Sequence, residues 1–212
     1  MLIKYFKRFV YCLVATAFFS VNAGSFDDFF IAIRNDDASA LLDLLQRGFD
    51  PNTRDEKGQP GLAIAMQVHA EKAATLLLQH PTIDVNALNA AGESALMMAA
   101  LKGDLAGAKL LLASGANVNQ PGWSALHYAA SGPRPELVQL LLEQGATVDA
   151  RSPNGTTPLM MAARYGSEES VKQLLKRGAD PKLANQRDLR AADFARLAGR
   201  ESLASRLEAV AR

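Results

Sequence analysis

The sequence predicts an all-α fold: a solenoid of stacked helix-turn-helix units joined by short hairpin-like finger loops. Three observations predict it. One phrase recurs, as Ser94-Ala95-Leu96-Met97-Met98-Ala99-Ala100, Ser124-Ala125-Leu126-His127-Tyr128-Ala129-Ala130 and Thr157-Pro158-Leu159-Met160-Met161-Ala162-Ala163. Two leucine registers keep step: Leu44, Leu77, Leu111, Leu141 and Leu174 lie 33, 34, 30 and 33 residues apart, and Leu62, Leu96, Leu126 and Leu159 lie 34, 30 and 33 apart. Each leucine run then closes on a turn, at Gly115-Ala116, Gly145-Ala146 and Gly178-Ala179. Self-similarity at this period marks a repeat architecture. A unit so small cannot bury its own apolar face, so neighbours must stack.

The first element, residues 1–23, stands apart from the repeats. Lys4, Lys7 and Arg8 precede an apolar run from Phe9 to Phe19, and Val21-Asn22-Ala23 offers small residues where a signal peptidase reads. This pattern predicts a cleavable signal peptide, cut after Ala23, and a periplasmic or secreted protein. A membrane anchor needs about 20 apolar residues, and Asn22, Gly24, Ser25 and Asp27-Asp28 end this run too early. No membrane span is therefore expected after cleavage. Cys12, the single cysteine, follows Phe9-Val10-Tyr11, which lacks the small residues of lipoprotein processing.

Within a unit, a hydroxyl begins the first helix. Thr157 stands ahead of Pro158 at the first helical position, where a missing N–H costs nothing, and Ser94 and Ser124 supply the same cap. Alanines in this short helix let neighbours approach closely, and Gly103 and Gly166 are expected to end it in left-handed backbone. The second helix carries its leucines on one face. Asn117-Val118-Asn119 and Thr147-Val148-Asp149 then run outward to a finger, with Asn154-Gly155 as a tight-turn dipeptide. Both registers shift together, so the irregularities are local. One extra residue falls at His80-Pro81-Thr82, and three are missing between Asn119 and Trp123.

The whole pattern resembles the ankyrin repeat. Asn154-Gly155-Thr156-Thr157-Pro158-Leu159, Gly178-Ala179-Asp180, Gly115-Ala116-Asn117-Val118-Asn119 and Leu126-His127-Tyr128-Ala129-Ala130 carry the likeness. Met97, Met160 and Ala63 stand where the family places His. The resemblance covers roughly residues 25–212 and implies a domain over residues 24–212, in approximate units 25–54 (an N-terminal cap), 55–88, 89–120, 121–150, 151–184 and 185–212 (a C-terminal cap). Atypical end units seal such a core from water.

Composition and motifs point away from catalysis. Removal of the leader takes three of the 23 basic residues, leaving 20 against 22 acidic, a formal charge of −2. A nucleic-acid surface would show a basic stripe instead. His69, His80 and His127 are not at metal-ligand spacing. His127 sits at the family's His position, where the imidazole is expected to be a structural hydrogen-bonding group between loops. Asp27-Asp28 and Asp36-Asp37 read as solvated or helix N-terminal charges. The pairs Met97-Met98 and Met160-Met161 are each expected to place one member in the core and the other on the inner-helix face. No cofactor, metal ligand set or catalytic residue is assigned, and a monomer without enzymatic activity is expected.

The resemblance implies a protein partner, bound on the concave side by finger tips and exposed first-helix positions. The candidate binding residues are Trp123, Arg164, Tyr165, Lys102, Leu101, Glu93 and Thr156. Trp, Tyr and Arg are the types that most often anchor interfaces. Trp123 admits two readings: an anchor for the partner, or a plug for the gap left by the shortened finger. The implied role is an interaction module of the bacterial cell envelope that protects or inhibits its partner. The alternative is an exported effector that binds host proteins.

Overall fold

The computed structural model describes residues 24–211, so the leader expected over residues 1–23 lies outside them. Twelve helices follow one another among the described residues: α1 (24–34), α2 (Ala38–Gln46), α3 (Gly61–Val68), α4 (Glu71–Gln79), α5 (Ala95–Lys102), α6 (Leu105–Ala113), α7 (Ala125–Ser131), α8 (Pro135–Glu143), α9 (Pro158–Tyr165), α10 (Glu168–Lys176), α11 (Ala191–Leu197) and α12 (Glu201–Val210). Successive helices pair into hairpins. From α3 to α11 the odd-numbered helices pack on one another as one layer, and α2 to α10 pack as a second.

One continuous core runs between the layers. Leu41, Leu77, Leu111, Leu141 and Leu174 point into it from the second helices, and Leu62, Leu96, Leu126 and Leu159 from the first. At the N-terminal end Phe29 and Ile33 of α1 close on Gly61, where an added Cβ would lie 2.8 Å from Ile33 Cδ1. Paired alanines, such as Ala129-Ala130 and Ala162-Ala163, are buried and keep the first-helix layer tightly stacked.

Gly103 ends α5 with φ of 72°, the left-handed backbone the sequence predicts. Gly166 does not follow it, having φ −86° and ψ −177°. Its requirement is steric, because a Cβ there would lie 2.0 Å from the carbonyl oxygen of Ala130. The methionine expectation also needs correction: Met97 and Met98 are both buried. In the other pair Met160 is buried and Met161 half-exposed.

Backbone polar groups between units are met by side chains in register. Asn52, Asn86 and Asn119 each accept one N–H from the following unit (Asp84 at 2.7 Å, Asn117 at 2.7 Å, Thr147 at 2.8 Å). Each also donates its amide to a carbonyl there, of Thr82, Gly115 and Gly145. The fourth rung is Asp149, which accepts from the N–H of Asp180 at 3.2 Å but has no proton to donate when ionised. Burial pushes the Asp149 carboxyl above its ordinary value, with the Asp180 charge adding to the rise.

The acidic pairs serve helix ends as well. Asp37 caps α2 through the N–H groups of Ser39 and Ala40, while Asp36 Oδ1 accepts from Ala73 N at 2.8 Å in the first turn of α4. At the other end of the stack Arg200 donates to the carbonyls of Ala162, Ala163 and Gly166 at 3.2, 3.0 and 2.9 Å. The Ala162 carbonyl also accepts from the Gly166 N–H, whereas Ala163 lies in the last turn of α9, where carbonyls lack an intrahelical donor.

The fingers are tight turns, and one isolated antiparallel bridge, Arg54 with Pro60, is formed among the described residues. Each of four turns is closed between its first and last residues: Asp55 to Gln59, Asn89 to Glu93, Ser152 to Thr156 and Asn185 to Leu189. A side chain at the first position accepts further N–H groups of the same turn. The fourth unit, three residues short, lacks this turn. There Gln120 reaches back to the carbonyl of Gly92 at 2.9 Å.

Candidate functional site

Beside the shortened finger lies an apolar depression on the first-helix layer. It is a cleft of about 400 Å³ lined by Leu101 of α5, Trp123, His127, Tyr128 and Ser131 of the fourth unit, and Met161 and Tyr165 of α9. Its floor is set by His127, which is buried. The N–H of Ser124 lies 3.1 Å from Nδ1, so that nitrogen accepts, and Nε2–H donates to the carbonyl of Thr156 at 3.0 Å. Burial holds the imidazole below its ordinary pKa of 6.5, which keeps it neutral in this tautomer. The structural hydrogen-bonding role expected of His127 is the one seen.

Trp123 packs edge-on to the His127 ring, with centroids 5.2 Å apart, and meets Tyr128 at 6.5 Å. It is half-buried and walls the cleft. The Tyr128 hydroxyl donates to Glu93 Oε1 at 2.6 Å. Burial first, then the Glu93 carboxylate, pushes the Tyr128 phenol well above its ordinary range. Tyr165 is 58% exposed at the opposite wall, and the guanidinium of Arg164 lies 5.1 Å above its ring.

The candidate residues thus separate. Leu101, Trp123 and Tyr165 meet in one cleft. Glu93 stands behind it and fixes Tyr128, and Arg164 covers Tyr165 from outside. Lys102 faces an adjoining depression with His69, Lys109 and Arg134. Thr156 is a correction. Expected on the binding surface, it is 2% exposed, with its N–H bonded to Ser152 Oγ and its carbonyl to His127. A closed finger turn draws its last residue inward, so Thr156 positions the floor and cannot touch a partner.

Tyr128 and Met161 are absent from the candidate list although both line the cleft. A signal for them exists: each lies two residues after a register leucine, Leu126 and Leu159. The groove extends beyond the cleft. Ile31, Val68, Leu101, Tyr165 and Leu197 are large apolar residues exposed on α1, α3, α5, α9 and α11. With 8–10 Å between packed helices, six first helices present a track about 40–50 Å long.

No group of three or more His, Cys, Asp or Glu is placed to hold a metal ion among the described residues. No described helix is long and apolar enough to cross a membrane. Stacked helix pairs with one exposed apolar groove define a helical-repeat solenoid, a class whose stack presents a continuous binding surface. The family model described as ankyrin repeats matches residues 29–121 and 108–185, with 3 copies, and the chain belongs to the ankyrin-repeat family.

Among curated proteins it is 35% identical over 162 residues to the nuclear factor NF-kappa-B p105 subunit of Gallus gallus, covering 73% of this chain and 16% of that protein. It is 45% identical over 93 residues to neurogenic locus notch homolog protein 4 of Homo sapiens, covering 42% of this chain and 5% of that one. The chain therefore spans a sixth or less of these relatives. Among solved structures, a chain from the structure of the Bd0816 predatory endopeptidase from Bdellovibrio bacteriovorus in complex with immunity protein Bd3460 is similar, with a TM-score of 0.74 at 26% identity, covering 86% of this chain and 97% of that one. Ankyrin repeats mediate protein–protein interaction and are generally modules without enzymatic activity.

Proposed function

We propose that this chain is an exported, non-enzymatic binding module that holds an envelope protein in its groove, with the Trp123–Tyr165 cleft as anchor, and thereby protects or inhibits it. The observation that carries the reading is the cleft itself. Two aromatic walls stand half-buried and exposed over a floor that the buried His127–Thr156 bond makes rigid. Interface energy concentrates in aromatic and Arg residues at pre-formed pockets, and a rigid pocket avoids the ordering cost of binding. Export rests on the leader: its basic start, apolar run and Val21-Asn22-Ala23 site fit a secretory signal. A restraining role is supported by the likeness to a chain from a complex of an endopeptidase with an immunity protein.

The test is affinity capture from a periplasmic extract with the native chain and with Trp123→Ala, Arg164→Ala and Tyr165→Ala, each checked for thermal stability. Loss of one specific captured protein in the folded Tyr165→Ala and Arg164→Ala chains is the expected result. Unchanged capture by those two, with Trp123→Ala merely unfolding, would rule the cleft out. Fractionation of cells places the chain: recovery in the cytoplasm with its leader intact contradicts export.

A further inference from the structure

Leu101 and Lys102 are consecutive residues at the C-terminal end of α5, and they open onto two different depressions. Leu101 lines the aromatic cleft. Lys102 lines an adjoining open depression of about 510 Å³ with His69, Lys109 and Arg134. Lys102, Lys109 and Arg134 are exposed, and among the described residues none makes an ion pair or a hydrogen bond through its side chain. The acid in that depression, Asp104, is already engaged. Its Oδ1 accepts from Gly107 N at 2.8 Å, its Oδ2 lies 3.8 Å from His69 Nδ1, and its side chain is 9% exposed.

Several surface cations elsewhere are paired: Arg206 with Glu168, Arg177 with Glu143, and Arg196 with Asp193 and Glu208. Single cations elsewhere, among them Lys57, Lys72, Lys176 and Lys182, also make no ion pair among the described residues. Lys102, Lys109 and Arg134, however, are three such cations lining one depression beside the cleft. Their arrangement also differs from a nucleic-acid track, because they line a single depression that adjoins the apolar cleft at Leu101-Lys102, while the acidic Glu93 stands behind Tyr128. A phosphate backbone needs a cationic groove along its course.

Resting on the reading of the groove as a protein-binding site, we infer that the occupant is an acidic segment of a protein carrying one large apolar residue. The apolar side chain fills the space between Trp123, Tyr128 and Tyr165. Neighbouring Asp or Glu side chains reach Lys102, Lys109 and Arg134. Complementary rim charge speeds encounter and excludes partners of the wrong sign, while the buried anchor sets residence.

The test is selection from a random peptide library against the immobilised full chain, followed by affinity measurements on the enriched peptides. Enriched sequences should join a large apolar residue to Asp or Glu. Their affinity should fall as salt rises, and by about tenfold with Lys102→Glu and Lys109→Glu, at unchanged melting temperature. Acid-poor peptides that still depend on Tyr165 would overturn this inference and leave the groove reading standing. Peptides indifferent to Tyr165→Ala, or no enrichment over that variant, would overturn both. Self-association abolished by the same substitutions, or oligothymidine bound at the cleft, would each replace the acidic segment with another occupant.

Discussion

The Nε2 atom of His127 sits 3.0 Å from the carbonyl oxygen of Thr156, and this contact ties the first helix of the fourth unit to the finger of the fifth. The corresponding residues in the units on either side are Met97 and Met160. Their sulfurs reproduce half of the arrangement, each accepting the N–H of its own helix cap at 3.4 Å, from Ser94 and Thr157. Neither has a proton to give to the next finger. The histidine therefore makes one joint of the solenoid stiffer than its neighbours, and that joint lies beneath the cleft.

His127→Met should keep the cap and lose the bridge. The Thr156 carbonyl would still accept from Ser152 N, so the expected cost is that of one net hydrogen bond, about 1 kcal/mol. Urea unfolding followed by circular dichroism measures it. No change in midpoint would show that the joint contributes nothing.

The same residue gives a pH dependence of defined sign. Burial depresses the folded-state pKa below the ordinary 6.5, so between those two values the unfolded chain binds the extra proton. Stability is then fully present above the unfolded pKa and falls as pH drops through it toward the folded one. Asp149, raised from 3.8, acts in the opposite sense, its contribution being present at low pH and lost as pH rises. The difference between native and His127→Met chains isolates the histidine, and the variant should show the shallower loss below pH 6.5.

Asp149→Asn is expected to stabilise. Asn52, Asn86 and Asn119 show what the position accommodates, an acceptor for the next N–H and a donor for the next carbonyl. The aspartate supplies only the first, and it faces the like charge of Asp180. Restoring the donor and removing the repulsion should add roughly 1 kcal/mol, read as a higher urea midpoint. A lower midpoint would mean that the fourth rung is built differently from the others.

Two glycines separate close approach from backbone conformation. Gly166→Ala drives a methyl against the Ala130 carbonyl at 2.0 Å, forcing α9 away from α7, and should cost more than about 3 kcal/mol. Gly145 has φ of 83° and nothing within 4 Å of an added Cβ, so Gly145→Ala should cost only about 1–2 kcal/mol of backbone strain. Thermal melting of the two variants ranks them. The reverse order would refute the tight stacking of the first-helix layer.

The helical repeat was legible because its causes are periodic. Leucines return to one core, and Ser94 and Thr157 accept the third helical N–H as their hydroxyl positions suggest. What escaped depends on neighbours that sequence does not place. Gly166 looks like a turn glycine until Ala130 is known to lie above it. Thr156 looks like a finger-tip residue until the turn closes and His127 claims its carbonyl. Trp123, Arg164 and Tyr165, flanked by Lys102 and Leu101, came from the positions the ankyrin resemblance implies, whereas Tyr128 and Met161 emerge as cleft walls only once the helices are stacked.

The groove itself is tested most directly by a photo-reactive phenylalanine analogue in place of Tyr165, irradiated in the cells that make the protein. The side chain is 58% exposed at the cleft mouth, so the replacement should leave the fold intact. A single protein adduct at this position, absent when the same analogue replaces Leu42 on the second-helix layer (41% exposed), is the result that protein binding at the cleft predicts. Adducts of equal yield at both positions, or none at Tyr165, would contradict it.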